Sequence, residues 1–440
     1  MPVERLAHSA LSGALFLLYC ISYAMPLVPL TLRSHQRRAI DALIKAAFGQ
    51  VVIPTGGGKT LVMILDAVRR LQESTSPQTI VVIAPRILLA NQLSEEFLEH
   101  ISDAEVMHVH SGETHHFSST KIAEIQTHSV LCKAAEKHQL IFTTYNSLRR
   151  INEAGIHIDV AYFDEAHNAT RRHFFEEVAN CNAKNYYYFT ATPKHSVNPL
   201  GRGMNNRLVF GPVLESVPAP ELIANGSIVS PTVLTHTIDL ERQKGLFAAE
   251  NDRDTLLNII DDLDPESASK VLVAAPNTRV LWRMLSSTNV IAQFHERGYD
   301  VMHITAKHGA YINKTKVSRE VFFDTLTAWG KDPNRKFIMF HYSILSEGIN
   351  VPGLTHCILL RQLPIVEMAQ TIGRVIRMDP DDAADIAAGK IPAGSFGLYR
   401  KRTGFVTVPI YSNHGKGIAK RLQDVVDCIF VKGIPAIATV

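Results

Sequence analysis

Val51-Val52-Ile53-Pro54-Thr55-Gly56-Gly57-Gly58-Lys59-Thr60 runs from a β-branched stretch through a glycine turn into the apolar, helically spaced residues that follow Thr60. Strand, glycine loop, Lys-Thr and helix in this order are the parts of a phosphate cradle rather than of a simple tight turn. Glycines let backbone N–H groups approach phosphate oxygens, Lys59 brings a mobile positive charge to the terminal phosphates, and the Thr60 hydroxyl can ligate Mg²⁺. Further on, Asp164-Glu165-Ala166-His167 closes a second strand-forming run. Asp164 there supplies a second anchor for the metal, and Glu165, next to it, stands where a base must orient and deprotonate a water. The two stretches together imply nucleotide hydrolysis.

Other residues between Leu32 and Arg377 follow the order of the motifs of superfamily 2 helicases, and the chain resembles that superfamily. Leu32-Arg33-Ser34-His35-Gln36 resembles the motif whose glutamine, here Gln36, contacts adenine. Ala84-Pro85-Arg86 and Thr143-Thr144-Tyr145-Asn146-Ser147 are similar to motifs that touch the nucleic-acid backbone, so Pro85, Arg86, Thr144 and Asn146 are the expected contacts. Thr190-Ala191-Thr192-Pro193 looks like the coupling motif, which the resemblance joins to His167 and Gln370. Ser346-Glu347-Gly348-Ile349-Asn350-Val351-Pro352 is similar to motif V, with Gly348 on the nucleotide. Gln370-Thr371-Ile372-Gly373-Arg374-Val375-Ile376-Arg377 is similar to motif VI, whose arginines reach the γ-phosphate.

The Leu-Arg-x-x-Gln opening and the Glu-Gly-x-x-x-Pro form of motif V look most like phage-type repair helicases and type III restriction helicase or translocase subunits. The resemblance implies an α/β fold of two tandem RecA-like domains, each a mostly parallel sheet flanked by helices. It also implies ATP and Mg²⁺, with Thr55, Gly56, Gly57, Gly58, Lys59 and Thr60 on the nucleotide, Thr60 and Asp164 on the metal, and Glu165, Lys59, Arg374 and Arg377 in catalysis. The implied activity is ATP-dependent DNA unwinding or remodelling. An RNA helicase, or a translocase that moves without separating strands, is the alternative, and a nuclease or a replication or repair protein is the kind of partner it suggests. Two departures stand out: Ile53 replaces the glycine of the strict phosphate loop, and Asn350 replaces the usual aspartate of motif V, keeping its shape but not its charge.

At 440 residues the chain exceeds the size at which one core stops growing, so at least two domains are expected. Apolar content of 46% and a net charge of +3 describe an ordinary globular protein, in which a local basic groove matters more than the total. Cys20, Cys132, Cys181, Cys357 and Cys428 form no C-x-x-C pair, which fits a reducing compartment and no zinc ribbon. The expected location is therefore the cytoplasm, or the nucleoid or host cytoplasm for a viral protein, without stable membrane association. Leu6 to Leu32 carries no charged side chain except the histidine at position 8. That leader admits three readings: a misassigned start with Met25 as the true one, an anchor, or an apolar segment packed on the first domain.

Strands are expected at Val51–Pro54, Thr79–Ala84, Leu140–Thr144, Val160–Asp164 and Tyr186–Thr190, with helices over Ser34–Phe48, Thr60–Leu71 and Ile87–His100. Most of the motifs of this half fall at carboxyl ends of these strands, the edge at which open parallel sheets bind ligands. A second set is expected at Val271–Ala275, Val301–Thr305, Phe337–His341, Cys357–Leu360 and Phe405–Ile410, with helices near Val317–Trp329, Val366–Arg377 and Ile418–Phe430. The expected division is an apolar leader over 1–30, an ATP-binding domain over 31–200, a connection over 201–265 and a C-terminal domain over 266–440. Arg374 and Arg377 would share a helix face. His108, His110, His115 and His116 lack zinc-site spacing, Tyr186-Tyr187-Tyr188-Phe189 suits a buried strand, and Arg400-Lys401-Arg402 suits a solvated turn. Arg279 and Arg361 fit either a phosphate contact or a surface pair.

Overall fold

The computed structural model describes residues 32–264, 267–305, 307–342 and 351–440. The leader over 1–30 and the motif V residues from Ser346 to Asn350, Gly348 included, lie outside the described residues. The strands of the first half are β1 Phe48–Val52, β2 Thr79–Ala84, β3 Ala104–Val109, β4 Phe117–Ser118, β5 His138–Thr144, β6 Ile158–Phe163, β7 Ala183–Thr190, β8 Lys194–His195 and β9 Val213–Ser216. Those of the second half are β10 Ser230–Ile238, β11 Lys270–Ala274, β12 Asp300–Thr305, β13 Gly309–Ile312, β14 Thr315–Val317, β15 Phe337–His341, β16 His356–Leu359, β17 Thr403–Tyr411 and β18 Ala438–Thr439.

They build two eight-stranded sheets, ordered β4-β3-β5-β2-β6-β7-β1-β9 and β10-β17-β16-β11-β15-β12-β13-β14. Every pairing in the first is parallel. The second is parallel up to β12, after which β13 and β14 add an antiparallel hairpin at the edge. Central strands read as unbroken apolar runs because helices cover both faces. In β2, Ile80 and Val82 enter one core and Val81 and Ile83 another, each 0–1% exposed. Burying such a side chain stabilises the fold by about 1.5–3 kcal/mol. Both sheets belong to the unit Ser34–Val440.

The segment expected to connect the halves carries regular structure of its own. Val213–Ser216 pairs with β1, Ser230–Ile238 pairs along its length with β17, and a helix spans Ala248–Asp261. β10 escaped the pattern because Thr232 and the run Thr235-His236-Thr237 break up its apolar residues, as suits an edge strand that is half exposed. The C-terminus returns to the first half, where Ala438–Thr439 pairs with Lys194–His195. Among the described residues, no helix is long and apolar enough to cross a membrane.

Candidate active site

β1 leads through Ile53-Pro54-Thr55 into the three glycines, and the helix Lys59–Glu73 starts immediately after them. Gly56 and Gly58 have φ of 88° and 82°, a left-handed region that side chains rarely tolerate. Space gives the same answer: a Cβ on Gly58 would collide with Gln36 Nε2, and one on Gly56 would lie 2.8 Å from Ile228 Cγ2. Gln36 is thus brought to the loop. His35 Nε2 donates to Gly57 O at 2.9 Å, and its Nδ1 accepts from Asn225 Nδ2 at 3.1 Å, so the imidazole is a fixed neutral tautomer clamping the loop. Thr60 lies in the first turn of the helix.

Lys59 Nζ lies 3.4 Å from Ile53 O and 3.9 Å from Glu165 Oε1, spanning the loop and the end of β6. Asp164 and Glu165 are both buried. Burial and the adjacent Glu165 charge, against Lys59, push Asp164 up to about 7. Burial would raise Glu165 as well, but Lys59, His167 and Arg374 hold it down to about 2, so this carboxylate is ionised at neutral pH. Glu165 has φ 45° and ψ 52°, a left-handed conformation that costs a non-glycine residue about 1–3 kcal/mol. Its Oε2 has no hydrogen-bond partner among the described residues and lies 3.4 Å from His167 Nδ1. A buried, charged oxygen of this kind is poised to accept a proton from a reacting group.

Three of the expected coupling residues, His167, Thr190 and Thr192, meet at the end of the next strand. His167 Nε2 accepts from Asn168 Nδ2 at 3.3 Å, so Nδ1 carries the proton and donates to Thr190 Oγ1 at 3.1 Å. Thr190 Oγ1 also accepts from the Thr192 backbone at 3.2 Å. Thr192 Oγ1 and Gln370 Nε2 are buried with no hydrogen-bond partner among the described residues.

From the second half, the helix Ile365–Val375 comes up against the loop so closely that a Cβ on Gly373 would lie 2.5 Å from Thr55 Cβ. Arg374 is buried on this helix. Burial and Arg377 bring it down to about 10, with Glu165 opposing, so it keeps its charge at neutral pH. Arg377 does not share its helix face, contrary to the spacing. The helix ends at Val375 and Arg377 forms an antiparallel bridge with Ile228. Pro380 follows at the start of the next helix and disfavours helical backbone in the residue before it. Burial also lowers Arg377, while Glu96 and Glu165 raise it.

Pro85 is buried and Arg86 exposed at the end of β2. At the last residue of β5, Thr144 is buried, with Oγ1 3.4 Å from Ser147 Oγ, and Asn146 just beyond the strand is exposed. These four stand on two neighbouring strand ends, β2 pairing with β5. Arg361 is held on Tyr342 O at 2.6 Å and Glu367 at 3.3 Å, a local pair, whereas Arg279 is exposed. Lys401 is buried, not solvated: its Nζ donates to Leu354 O at 2.6 Å and Arg377 O at 2.7 Å. His108 and His110 bond each other at 2.9 Å, with Ser94 and Asn91 taking the outer positions. Tyr187, Tyr188 and Phe189 are buried.

Three contributors were not singled out from the sequence, although Tyr145 stands inside the Thr143–Ser147 motif. Tyr145 donates to Asp164 O at 2.9 Å, tying the β5 loop to the end of β6. Glu96, on the helix Ile87–Leu98, accepts from Gln92 at 2.8 Å; burial raises its pKa although the charge of Arg377 lowers it. Asn225 completes the His35 clamp. Each acts through a backbone carbonyl or a distant partner, which no local motif encodes.

Residues 29–195 match the family of the type III restriction enzyme res subunit. In structure the chain is similar to the ATP-dependent type ISP restriction-modification enzyme LlaBIII bound to DNA, with a TM-score of 0.68 and 17% identity over 94% of this chain and 31% of that one. It is also similar to a nuclease-deletion mutant of the type ISP enzyme LlaGI in complex with a DNA substrate mimic, with a TM-score of 0.62 and 16% identity over 93% of this chain and 30% of that one. The chain thus spans under a third of the length of these enzymes. No curated protein sequence matches it. Residues 29–195 thus belong with the res-subunit family, and across both sheets the chain shares the fold of these restriction-modification enzymes.

Proposed function

We propose that the chain is an ATP-driven DNA helicase or translocase whose catalytic site lies where the two sheets meet. The observation that carries this reading is the approach of Gly373 and Arg374 from the second half to Thr55 and Glu165 in the first. Catalysis at such a junction requires both halves, so each turnover is tied to their movement.

The residues fit a nucleoside triphosphate with a divalent cation: Gly56 and Gly58 hold a left-handed turn that keeps the loop's backbone free of side chains, and Glu165 Oε2 is buried with no hydrogen-bond partner among the described residues. Gln36 would hold adenine, the loop from Thr55 to Thr60 the phosphates, and Thr60 with Asp164 the metal. The cation, when bound, supplies charge neutralisation on the phosphate oxygens. Glu165 takes the proton of the attacking water, and Lys59, Arg374 and Arg377 stabilise negative charge developing on the transferred group. His167, oriented by Asn168, holds Thr190 beside this chemistry, and Pro85, Arg86, Thr144 and Asn146 present a surface for the DNA backbone. Both similar enzymes were observed with DNA or a DNA mimic, which favours DNA over RNA.

The test is DNA-stimulated ATP hydrolysis, with triplex displacement and duplex unwinding measured on one preparation. Arg374→Ala should lose about 10³-fold or more in turnover. Hydrolysis indifferent both to DNA and to Arg374 would overturn the reading; triplex displacement without unwinding would identify a translocase.

A further inference from the structure

At the far edge of the second sheet, four aromatic rings stack away from the nucleotide residues. Trp282 lies parallel to His308 at 4.1 Å and 7°. His303 and Tyr311, register partners across β12 and β13, lie parallel at 4.7 Å and 9°. Trp282 meets Tyr311 edge-on at 5.6 Å and His303 at 6.0 Å, joining the two stacks. The lower ring is core: His303 is 4% exposed, its Nδ1 is buried without a partner among the described residues, and burial with His308 beside it holds it neutral, down to about 4. Trp282, His308 and Tyr311 are each only partly buried, although a core role would have covered them.

The helix and the hairpin that carry these rings hold one sign of charge. The helix Thr278–Ser287 and the hairpin over 307–317 contain Arg279, Arg283, Lys307, Lys314 and Lys316 and no acidic residue. Arg279 is one turn from Trp282 on the same helix, and it opens on a cavity of about 570 Å³ that Lys244, Asn277, His414 and the ion pair of Arg242 with Asp252 also line. The hairpin is held in place: Asn313 Oδ1 accepts from Val301 N at 2.7 Å, and Asn313 Nδ2 donates to Asp300 at 2.6 Å.

A rigid π-stack flanked by cations matches a polyanion that exposes flat rings. Duplex DNA hides its base faces between neighbours; an unpaired strand offers them. We propose that Trp282 and His308, with Tyr311 behind them, form a stacking site for an unpaired DNA base, its flanking phosphates met by Arg279 and Lys307. The proposal rests on the reading of the chain as a DNA motor and goes beyond it, because a site for unpaired bases serves strand separation rather than movement along intact duplex.

The chain has two tryptophans, so Trp329→Phe leaves Trp282 as the sole reporter in an otherwise native site. The full chain with that change is titrated with a fluorescein-labelled oligothymidylate and, separately, with a labelled blunt duplex. Anisotropy reports binding and Trp emission reports stacking. Quenching that saturates with single-strand binding, and is absent with duplex, is expected. Trp282→Leu and, independently, His308→Ala should each weaken single-strand binding about tenfold and leave duplex binding and DNA-free ATP hydrolysis unchanged. Single-strand binding at full affinity without quenching, or equal quenching by duplex, would overturn the stacking site while leaving the motor reading intact. If anisotropy detects neither form of DNA, the motor reading fails and the stacking site falls with it.

Discussion

Glu165 combines a left-handed backbone, burial and an ionised carboxylate held down by Lys59, His167 and Arg374. Such strain persists only where the surroundings fix it, and here it directs the side chain between the cradle lysine and His167. Replacing the acceptor by an amide of the same shape removes the base and keeps the turn. Glu165→Gln should therefore retain nucleotide binding while turnover falls about 10²–10⁴-fold, measured by steady-state hydrolysis beside titration with a non-hydrolysable analogue. Turnover near wild type would remove Glu165 from the base role. That Lys59, Asp164, Glu165 and the glycines come together was legible in the sequence, because both stretches close parallel strands of one sheet. Tyr145 and Glu96 were not. Tyr145 serves a backbone carbonyl, and Glu96 reaches its electrostatic partner Arg377 only through the fold.

Elements locate these side chains, and the tightest junction is Gly373 on Thr55. A Cβ there lies 2.5 Å from another Cβ, so one of the two backbones must retreat. Gly373→Val should push the helix Ile365–Val375 off the loop, weakening nucleotide affinity and turnover together while circular dichroism stays native. Unchanged affinity would mean that this junction does not govern the site. A second junction lies behind the loop. Asp66 is fully buried on the helix Lys59–Glu73 and accepts from Arg69 at 2.7 Å, Arg70 at 2.8 Å and the Tyr162 hydroxyl at 2.7 Å. Arg70 continues to Tyr187, whose hydroxyl reaches Ala46 O at 2.7 Å, so the cradle helix, β6, β7 and the chain just after the Gln36 helix share one network. Leaving such charges unmatched costs about 3–5 kcal/mol, which Asp66→Asn should lose in urea unfolding; a loss below 1 kcal/mol would show the network to be dispensable. The helix itself was legible from its spacing. Its charged interior was not, since an Asp three and four positions before two arginines reads equally as a solvated face. β3 was missed for a similar reason: Glu105 and His108 interrupt its apolar residues, and the buried His108 is tolerated because His110 and Ser94 satisfy it.

Across the whole molecule, what the sequence left unread is how the halves are tied together. A strand as short as Ala438–Thr439 has no periodicity to detect, yet it carries the C-terminus back to β8. The same long-range burial leaves an acid-sensitive signature that composition does not reveal. Burial, with His110 and His116 close by, brings His108 down to about 3; burial with Arg374 and Arg361 does the same to His341. Burial with His308 beside it takes His303 to about 4, and burial with Lys401 takes His356 to about 4. In the unfolded chain each would titrate near its ordinary 6.5. Above that value neither state binds the proton, and the full stability is present. Between about 6.5 and the folded values the unfolded chain binds more protons, so stability falls as pH falls, by up to about 1.4 kcal/mol per pH unit for each group. The urea midpoint should therefore drop steeply between pH 7 and pH 5, and His356→Phe, which keeps the stack on Phe405, should flatten that dependence by one group's share. A midpoint indifferent to pH over this range, or an unaltered slope in the variant, would mean that these histidines gain their protons without unfolding.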